Sequence, residues 1–222
     1  MGGSIPVIAI DGPSASGKGT VAQRVAAALG FHYLDSGALY RLAALAAMKQ
    51  GLSLDDAAAL ADATQRMRIE FRDGATYLDG RDVTEEVRTE ALSAAASRVA
   101  ANPAVRQALL VRQRGFRRVP GLVADGRDMG SVVFPEAPLK VFLTADVATR
   151  AERRYKQLME KGMYAKMEDV VEELRRRDAR DTSRAVAPLK HYPDAIFLDT
   201  TGLSVDEAVT KILGGWKERA SR

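Results

Sequence analysis

Gly12, Gly17 and Lys18 stand at fixed spacing in the stretch GPSASGKGT, which runs from Gly12 to Thr20. The pattern G-x-x-x-x-G-K suits one task, the holding of a polyphosphate. Glycines let the backbone turn so that successive amide N–H groups point at one anion. Lys18 adds a full charge for the β- and γ-phosphates of a nucleotide, and Pro13, Ser14, Ala15, Ser16, Gly19 and Thr20 complete the loop. The apolar run PVIAID precedes it and VAQRVAAALG follows, so the order is strand, loop, helix. The start of that helix adds its partial positive charge. One departure matters: Gly19 follows the lysine, and the hydroxyl comes only at Thr20. A hydroxyl directly after the lysine normally ligates Mg2+. Its displacement argues against a protein ligand for the metal, leaving Mg2+ to the nucleotide and water. The form GKGT leans toward small-molecule kinases, and the guanine-reading pattern N-K-x-D is absent.

What accepts a phosphoryl group from such a loop is a question of charge. A hydroxyl acceptor needs a carboxylate or histidine to take its proton. A phosphate acceptor is already anionic and needs positive charge around it. The chain has 2 histidines: His32 lies in a predicted strand and reads as structural, and His191 precedes Tyr192-Pro193 in a loop. Arginines instead cluster. LDSGALYR brings Asp35, Ser36, Tyr40 and Arg41 to the carboxyl end of the second strand, where open α/β folds bind ligands. VADGRDMG puts Arg127 and Asp128 at the same rim. Arg150, Arg153 and Arg154 share one helical face, as do Arg177, Asp181 and Arg184. A solvated surface explains any one cluster; four at the rim that carries the cradle point to an anion site, because bidentate arginine suits phosphate. The residues thus favour a kinase whose acceptor already bears a phosphate.

These residues need a scaffold. Short, nearly unbroken apolar runs at Val7–Asp11, His32–Asp35, Leu122–Asp125, Leu139–Leu143 and Ile196–Leu198 read as strands buried on both faces. Helices are predicted over Lys18–Leu29, over Leu39–Lys49, behind a Ser53 cap with Asp56 three residues on, and from Pro103, after the cap residue Asn102, to about Arg118. Ser204 and Glu207 form a capping box for the last helix. The alternation predicts an α/β fold with a parallel sheet flanked by helices. Arg68–Val83 breaks it: RIEFRDGATYLDGRDV alternates in polarity and carries turn signals at Asp73-Gly74 and Asp79-Gly80, so it reads as a small antiparallel β insert. A polar segment, Lys156–Glu168, reads as a mobile connection between two charged helices. With 222 residues, 46% hydrophobic and 28% charged, the chain suits one soluble domain spanning 1–222. No run approaches the roughly 20 apolar residues of a membrane span, and MGGSIPVIAID lacks the features of a secretory signal. Zero cysteines exclude disulfides and fit a cytoplasmic protein. A net charge of +4 is modest for this length, and composition alone does not separate a nucleic-acid surface from an anionic small substrate.

IDGPSASGKGT, LDSGALYR, LVADGRDMGSVVFPEAPLKVFL, ERRYKQLMEKG, RRRDARDTSRAVAPL and LDTTGLSVDE, in this order, resemble the bacterial cytidylate kinases over nearly the whole chain. The loop alone is common, whereas DSGALYR, DGRDMG and RDxxRAVAPL together are restrictive. The resemblance implies a five-stranded P-loop kinase fold with a monophosphate-binding insert over 65–100 and a helical lid over 150–168. It implies transfer from ATP, with Mg2+, to CMP or dCMP. Ser97, Arg106 and Asp128 would read the cytosine edge, where a carboxylate suits the exocyclic amino donor and rejects uracil. Asp181 would face the sugar, Ser36, Arg41, Arg127 and Arg184 would clamp the acceptor phosphate beside Arg177, and Tyr40 lies among them. Arg153, with Arg150 and Arg154 near it, would act on the transferring group, alongside Lys18, Arg127 and Arg184. No general base is required. The partners expected are ATP and CMP or dCMP, for a monomer with no nucleic acid or membrane partner; Asp199–Leu203 is a candidate for orienting the adenine. Rival readings are kinases for other small acceptors and, from another class, a nucleic-acid-stimulated ATPase using RRRDARD as its basic contact.

Overall fold

Apolar runs of four to six residues cannot cover their own faces, so helices must pack on each side of them. The computed structural model, which describes residues 5–72 and 74–220, shows how they do so. In chain order the elements are β1 (Val7–Asp11), α1 (Lys18–Leu29), β2 (His32–Asp35), α2 (Ser36–Lys49), α3 (Ala57–Arg66), β3 (Ile69–Arg72), β4 (Ala75–Leu78), β5 (Arg81–Asp82), α4 (Glu90–Val99), α5 (Pro103–Gly115), β6 (Leu122–Gly126), β7 (Leu139–Thr144), α6 (Val147–Glu160), α7 (Met167–Ser183), β8 (Ile196–Asp199) and α8 (Val205–Ala220). They form two compact units, one of residues up to Leu34 and from Phe116 onward, the other Asp35–Gly115.

The first unit is built on a five-stranded sheet of order β2-β6-β1-β7-β8. The pairs of β1 with β6 and β7, and of β7 with β8, are parallel. β1 is central and completely buried, and its last residue, Asp11, registers with Gly126 on one side and Phe142 on the other. A cluster of Ile8, Ile10, Val21, Val25, Val141, Leu143 and Ile212 joins the sheet to α1 and α8. Gly30, in the left-handed conformation, ends α1. A second cluster, Ala151, Leu158, Val170 and Leu174, pairs α6 with α7.

In the second unit α2 packs on α4, and α3 on α5. Residues 65–100 lie within it, including the antiparallel sheet β3-β4-β5. Asp79 and Gly80 both take positive φ between β4 and β5, as the turn signal requires. Asp73 lies outside the described residues.

β6, β7 and β8 each run one residue further than expected, and four helix boundaries also differ. Asp35, whose side chain accepts from the Ala38 N–H, caps α2 at Ser36 and so starts it earlier than Leu39. Asp56 caps α3; Ser53 instead accepts from Asp55 in the preceding turn. α5 stops at Gly115 rather than near Arg118. Helix fills most of the expected connection 156–168: α6 runs to Glu160, Gly162 turns at φ 70°, and α7 begins at Met167. The capping box of Ser204 and Glu207 is present in both directions.

Candidate active site

Between β1 and α1 the loop is shaped from two sides. A Cβ on Gly12 would come within 1.9 Å of the Leu143 carbonyl oxygen, so nothing larger fits there. Gly17, at φ 90°, turns the chain into α1. From α6, Arg153 donates to the Ser16 carbonyl at 3.0 Å and to Thr200 at 2.7 and 3.2 Å. Arg150 donates to the Ser14 carbonyl at 3.2 Å and forms a two-point pair with Asp178 at 3.1 and 2.7 Å. A peptide is planar and trans, so pinning the carbonyls of Ser14 and Ser16 aims the N–H groups of Ala15 and Gly17 the opposite way. The two arginines thereby hold the loop with its donors inward. Arg154 donates to the Gln157 side-chain oxygen at 3.2 Å. Lys18 curls back to the Pro13 carbonyl at 3.2 Å. Ser16 is buried, and its hydroxyl has no hydrogen-bond partner among the described residues.

Asp125 went unnoticed in the sequence. It ends the apolar run of β6, and its Oδ2 accepts from the Tyr33 hydroxyl at 2.5 Å. A Cβ on Gly19 would meet both groups at 3.7 Å, so the residue after Lys18 faces a carboxylate. Thr20 is exposed. Among the described residues no group of three or more His, Cys, Asp or Glu could hold a metal ion. A divalent cation here would take most of its ligands from phosphate oxygens and water.

The loop after β6 carries the next pair. Arg127 Nε donates to Asp181 Oδ2 at 2.7 Å, and both side chains are largely buried. Burial pushes the Asp181 carboxyl up, but the charge and hydrogen bond of Arg127, with the charges of Arg177 and Arg184, outweigh it and hold it below the usual range. Arg184 lies just beyond the end of α7 and donates to the Ala187 carbonyl at 2.7 Å. Asp128 is buried. The structure thus brings Arg127, Arg177, Asp181 and Arg184 into one electrostatic group.

In the second unit, Arg41 donates to Asp35 at 2.7 Å, and a Cβ on Gly37 would crowd both. Ser36 is buried and accepts from Gln113 Nε2 at 2.8 Å. A hydroxyl that accepts an N–H keeps its own proton for another acceptor, which suits an anion. Gln113, itself buried, was missed; its legible signal was a place two turns from Arg106 on one face of α5. Arg106 lies 5.8 Å from the centre of the buried Tyr40 ring and donates to the Ala100 carbonyl at 3.2 Å. Ser97, on α4, is buried with a hydroxyl that finds no partner among the described residues. The histidines stay outside these groups: His32 bonds the Val119 carbonyl, and His191 bonds that of Ala195 and meets Phe142 and Phe197 edge-on.

Among solved structures, an uncharacterized protein from Eubacterium ventriosum is similar at TM-score 0.55 and 14% identity, covering 98% of this chain and 99% of that one. A gluconokinase from Sinorhizobium meliloti is similar at TM-score 0.52 and 16% identity, covering 98% and 94%. At these identities the likeness is one of fold alone. Sequence relatives are much nearer. Cytidylate kinase of Chromobacterium violaceum is 56% identical over 216 residues, 97% of each chain. That of Burkholderia pseudomallei is 58% identical over 213 residues, 96% of this chain and 93% of its own. The family model for cytidylate kinase matches residues 8–218. A shared loop would leave the acceptor open, but likeness of this extent does not: the chain belongs to the cytidylate kinase family.

Proposed function

We propose that this protein transfers the γ-phosphoryl group of ATP to the phosphate of CMP or dCMP, giving ADP and CDP or dCDP. The bond from the γ-phosphorus to the β–γ bridging oxygen breaks, and an acceptor phosphate oxygen forms the new bond. The observation that carries this reading is a phosphate loop beside the Arg127–Asp181 pair, in a member of this family. The loop from Gly12 to Thr20 holds the ATP phosphates through its N–H groups, Pro13 having none, Lys18 balances their charge and Arg153 keeps the loop in shape. Arg127 and Arg184 neutralise the group in flight, with Ser36, Arg41 and Arg177 holding the acceptor phosphate. Ser97, Arg106 and Asp128 read the base, Asp181 the sugar, and Tyr40 supports Arg106. Mg2+, held mainly by phosphate oxygens and water, would supply further charge neutralisation when bound. Closure of segments 65–100 and 150–168 over the nucleotides keeps water from the phosphoryl group.

The protein works as a monomer in the cytoplasm, without nucleic acid or membrane; among the described residues no helix is long and apolar enough to cross a membrane. The test is ADP release with Mg-ATP and, separately, CMP, dCMP, UMP, AMP, GMP and shikimate. Fast turnover with CMP and dCMP and little with UMP is expected. Hydrolysis that rises only when RNA is added would overturn the reading.

A further inference from the structure

Every residue of β1 before its last is apolar and buried, yet the strand ends in a carboxylate that is only 1% exposed. A charge in that place costs the fold unless it is well bonded. Its bonds run to one place. Asp11 Oδ1 accepts the Met129 N–H and Oδ2 accepts the Gly130 N–H, each at 2.8 Å. These two amides open a single π-helical turn, Met129–Val133, directly after Arg127 and Asp128. Such turns are uncommon and gather at functional sites.

The consequence for Asp128 follows from peptide geometry. Its carbonyl accepts the N–H groups of Val132 at 2.9 Å and Val133 at 3.2 Å. The N–H on the other side of the same peptide is the one held by Asp11 Oδ1. Both edges of one planar unit are therefore bonded, and the plane cannot turn without breaking these bonds. That plane sets where the Asp128 Cα, and hence its carboxylate, stands. One residue earlier, the Arg127 carbonyl accepts from the Tyr192 hydroxyl at 3.4 Å, and the Arg127 side chain is paired with Asp181. Among these holds, Asp11 alone is a charge from another strand acting on two consecutive amides. Gly130 also leaves little room for movement, since a Cβ there would meet the Lys140 side chain at 3.2 Å and Asp11 Oδ2 at 3.5 Å.

We propose that Asp11 is a positioning residue for the acceptor: it touches neither substrate and acts by fixing the turn that carries Arg127 and Asp128. This rests on the reading of CMP as acceptor. Asp11 directly precedes Gly12, so damage to the phosphate loop is the competing explanation for any effect, and the two differ in which substrate suffers.

The experiment compares wild type with D11N. Asn keeps one acceptor oxygen but turns an N–H donor toward the second amide, so one charge-assisted bond is lost. Loss of a bond of that kind corresponds to roughly tenfold or more in binding. The KM for CMP is expected to rise about tenfold, the Kd for ATP by calorimetry to change by less than about twofold, and amide exchange across 127–133 to quicken while that of 12–20 stays slow. Should D11N fail to fold, D11S carries the same comparison, since its hydroxyl can still accept one N–H. Loss of ATP affinity in step with the CMP effect, or an unchanged KM for CMP, overturns the proposal. Wild type that fails to phosphorylate CMP overturns instead the functional reading, and exchange at 127–133 in the variant still tells whether Asp11 holds the turn.

Discussion

The phosphate loop of the first unit and the candidate groups of the second are made of different materials. In the first, the phosphate loop is mostly backbone: Gly12 leaves no room for a side chain, and Arg150 and Arg153 each give one donor to a loop carbonyl. In the second, the candidate groups are side chains on helices, with Gln113 setting the Ser36 hydroxyl and Arg106 lying by Tyr40. A backbone site tolerates little change of shape and is indifferent to much change of chemistry. A side-chain site is the reverse.

The largest effect should come from breaking the backbone half. Gly12→Ala puts a carbon within 1.9 Å of the Leu143 oxygen, so the loop must move. ATP affinity by calorimetry is expected to fall by two orders of magnitude or more, of order 3 kcal/mol, while the Kd for CMP changes little. Next comes Arg106→Ala, expected to raise the KM for CMP some ten- to a hundredfold and to narrow its advantage over UMP, with ATP affinity kept. Equal losses for CMP and UMP would remove Arg106 from base reading. Smaller again is Gln113→Ala, which frees the Ser36 hydroxyl to turn; a three- to tenfold rise in the KM for CMP is expected. No rise would mean that the Ser36 hydroxyl needs no such guide.

The smallest effect separates two carboxylates by pH. Burial, with the nearby charge of Asp128, pushes Asp11 from 3.8 up to about 7 against the opposing pull of the Gly130 and Met129 amides and Arg127. A carboxyl raised on folding favours the folded state fully below its ordinary value, and that advantage is lost as pH rises toward 7. Asp181 is shifted the other way, so its contribution is lost only as pH falls below the ordinary carboxylate range. Thermal melts should therefore show Tm falling by several degrees from pH 5 to pH 8, and D11N should flatten that slope. A slope unchanged in D11N would mean that Asp11 does not titrate in this range.

How much of this was legible depends on whether a residue works with its neighbours in sequence or across the fold. The strands and the loop were legible because short apolar runs and the G-x-x-x-x-G-K spacing are local patterns. The expected burial on both faces holds along the whole of β1 and β6 only, since β2 and β8 are edge strands and partly exposed. Helix starts slipped where two cap residues competed, as Ser53 did with Asp56. Ser97 had no signal of its own on an alanine-rich helix, and only the family resemblance drew attention to it. Gln113 and Asp11 were harder still. Their partners lie 77 and 118 residues away, and nothing in a linear pattern marks such a bond. Arg150 and Arg153 were visible as a face, but not the backbone carbonyls that they hold.

The central claim is that a phosphoryl group passes to a phosphate. Phosphorus NMR of the protein with Mg-ATP and CMP follows the atom itself. The expected result is loss of the CMP and ATP γ signals with growth of a β-phosphate signal for CDP, one for each ADP formed. Growth of inorganic phosphate with CMP unchanged would contradict it.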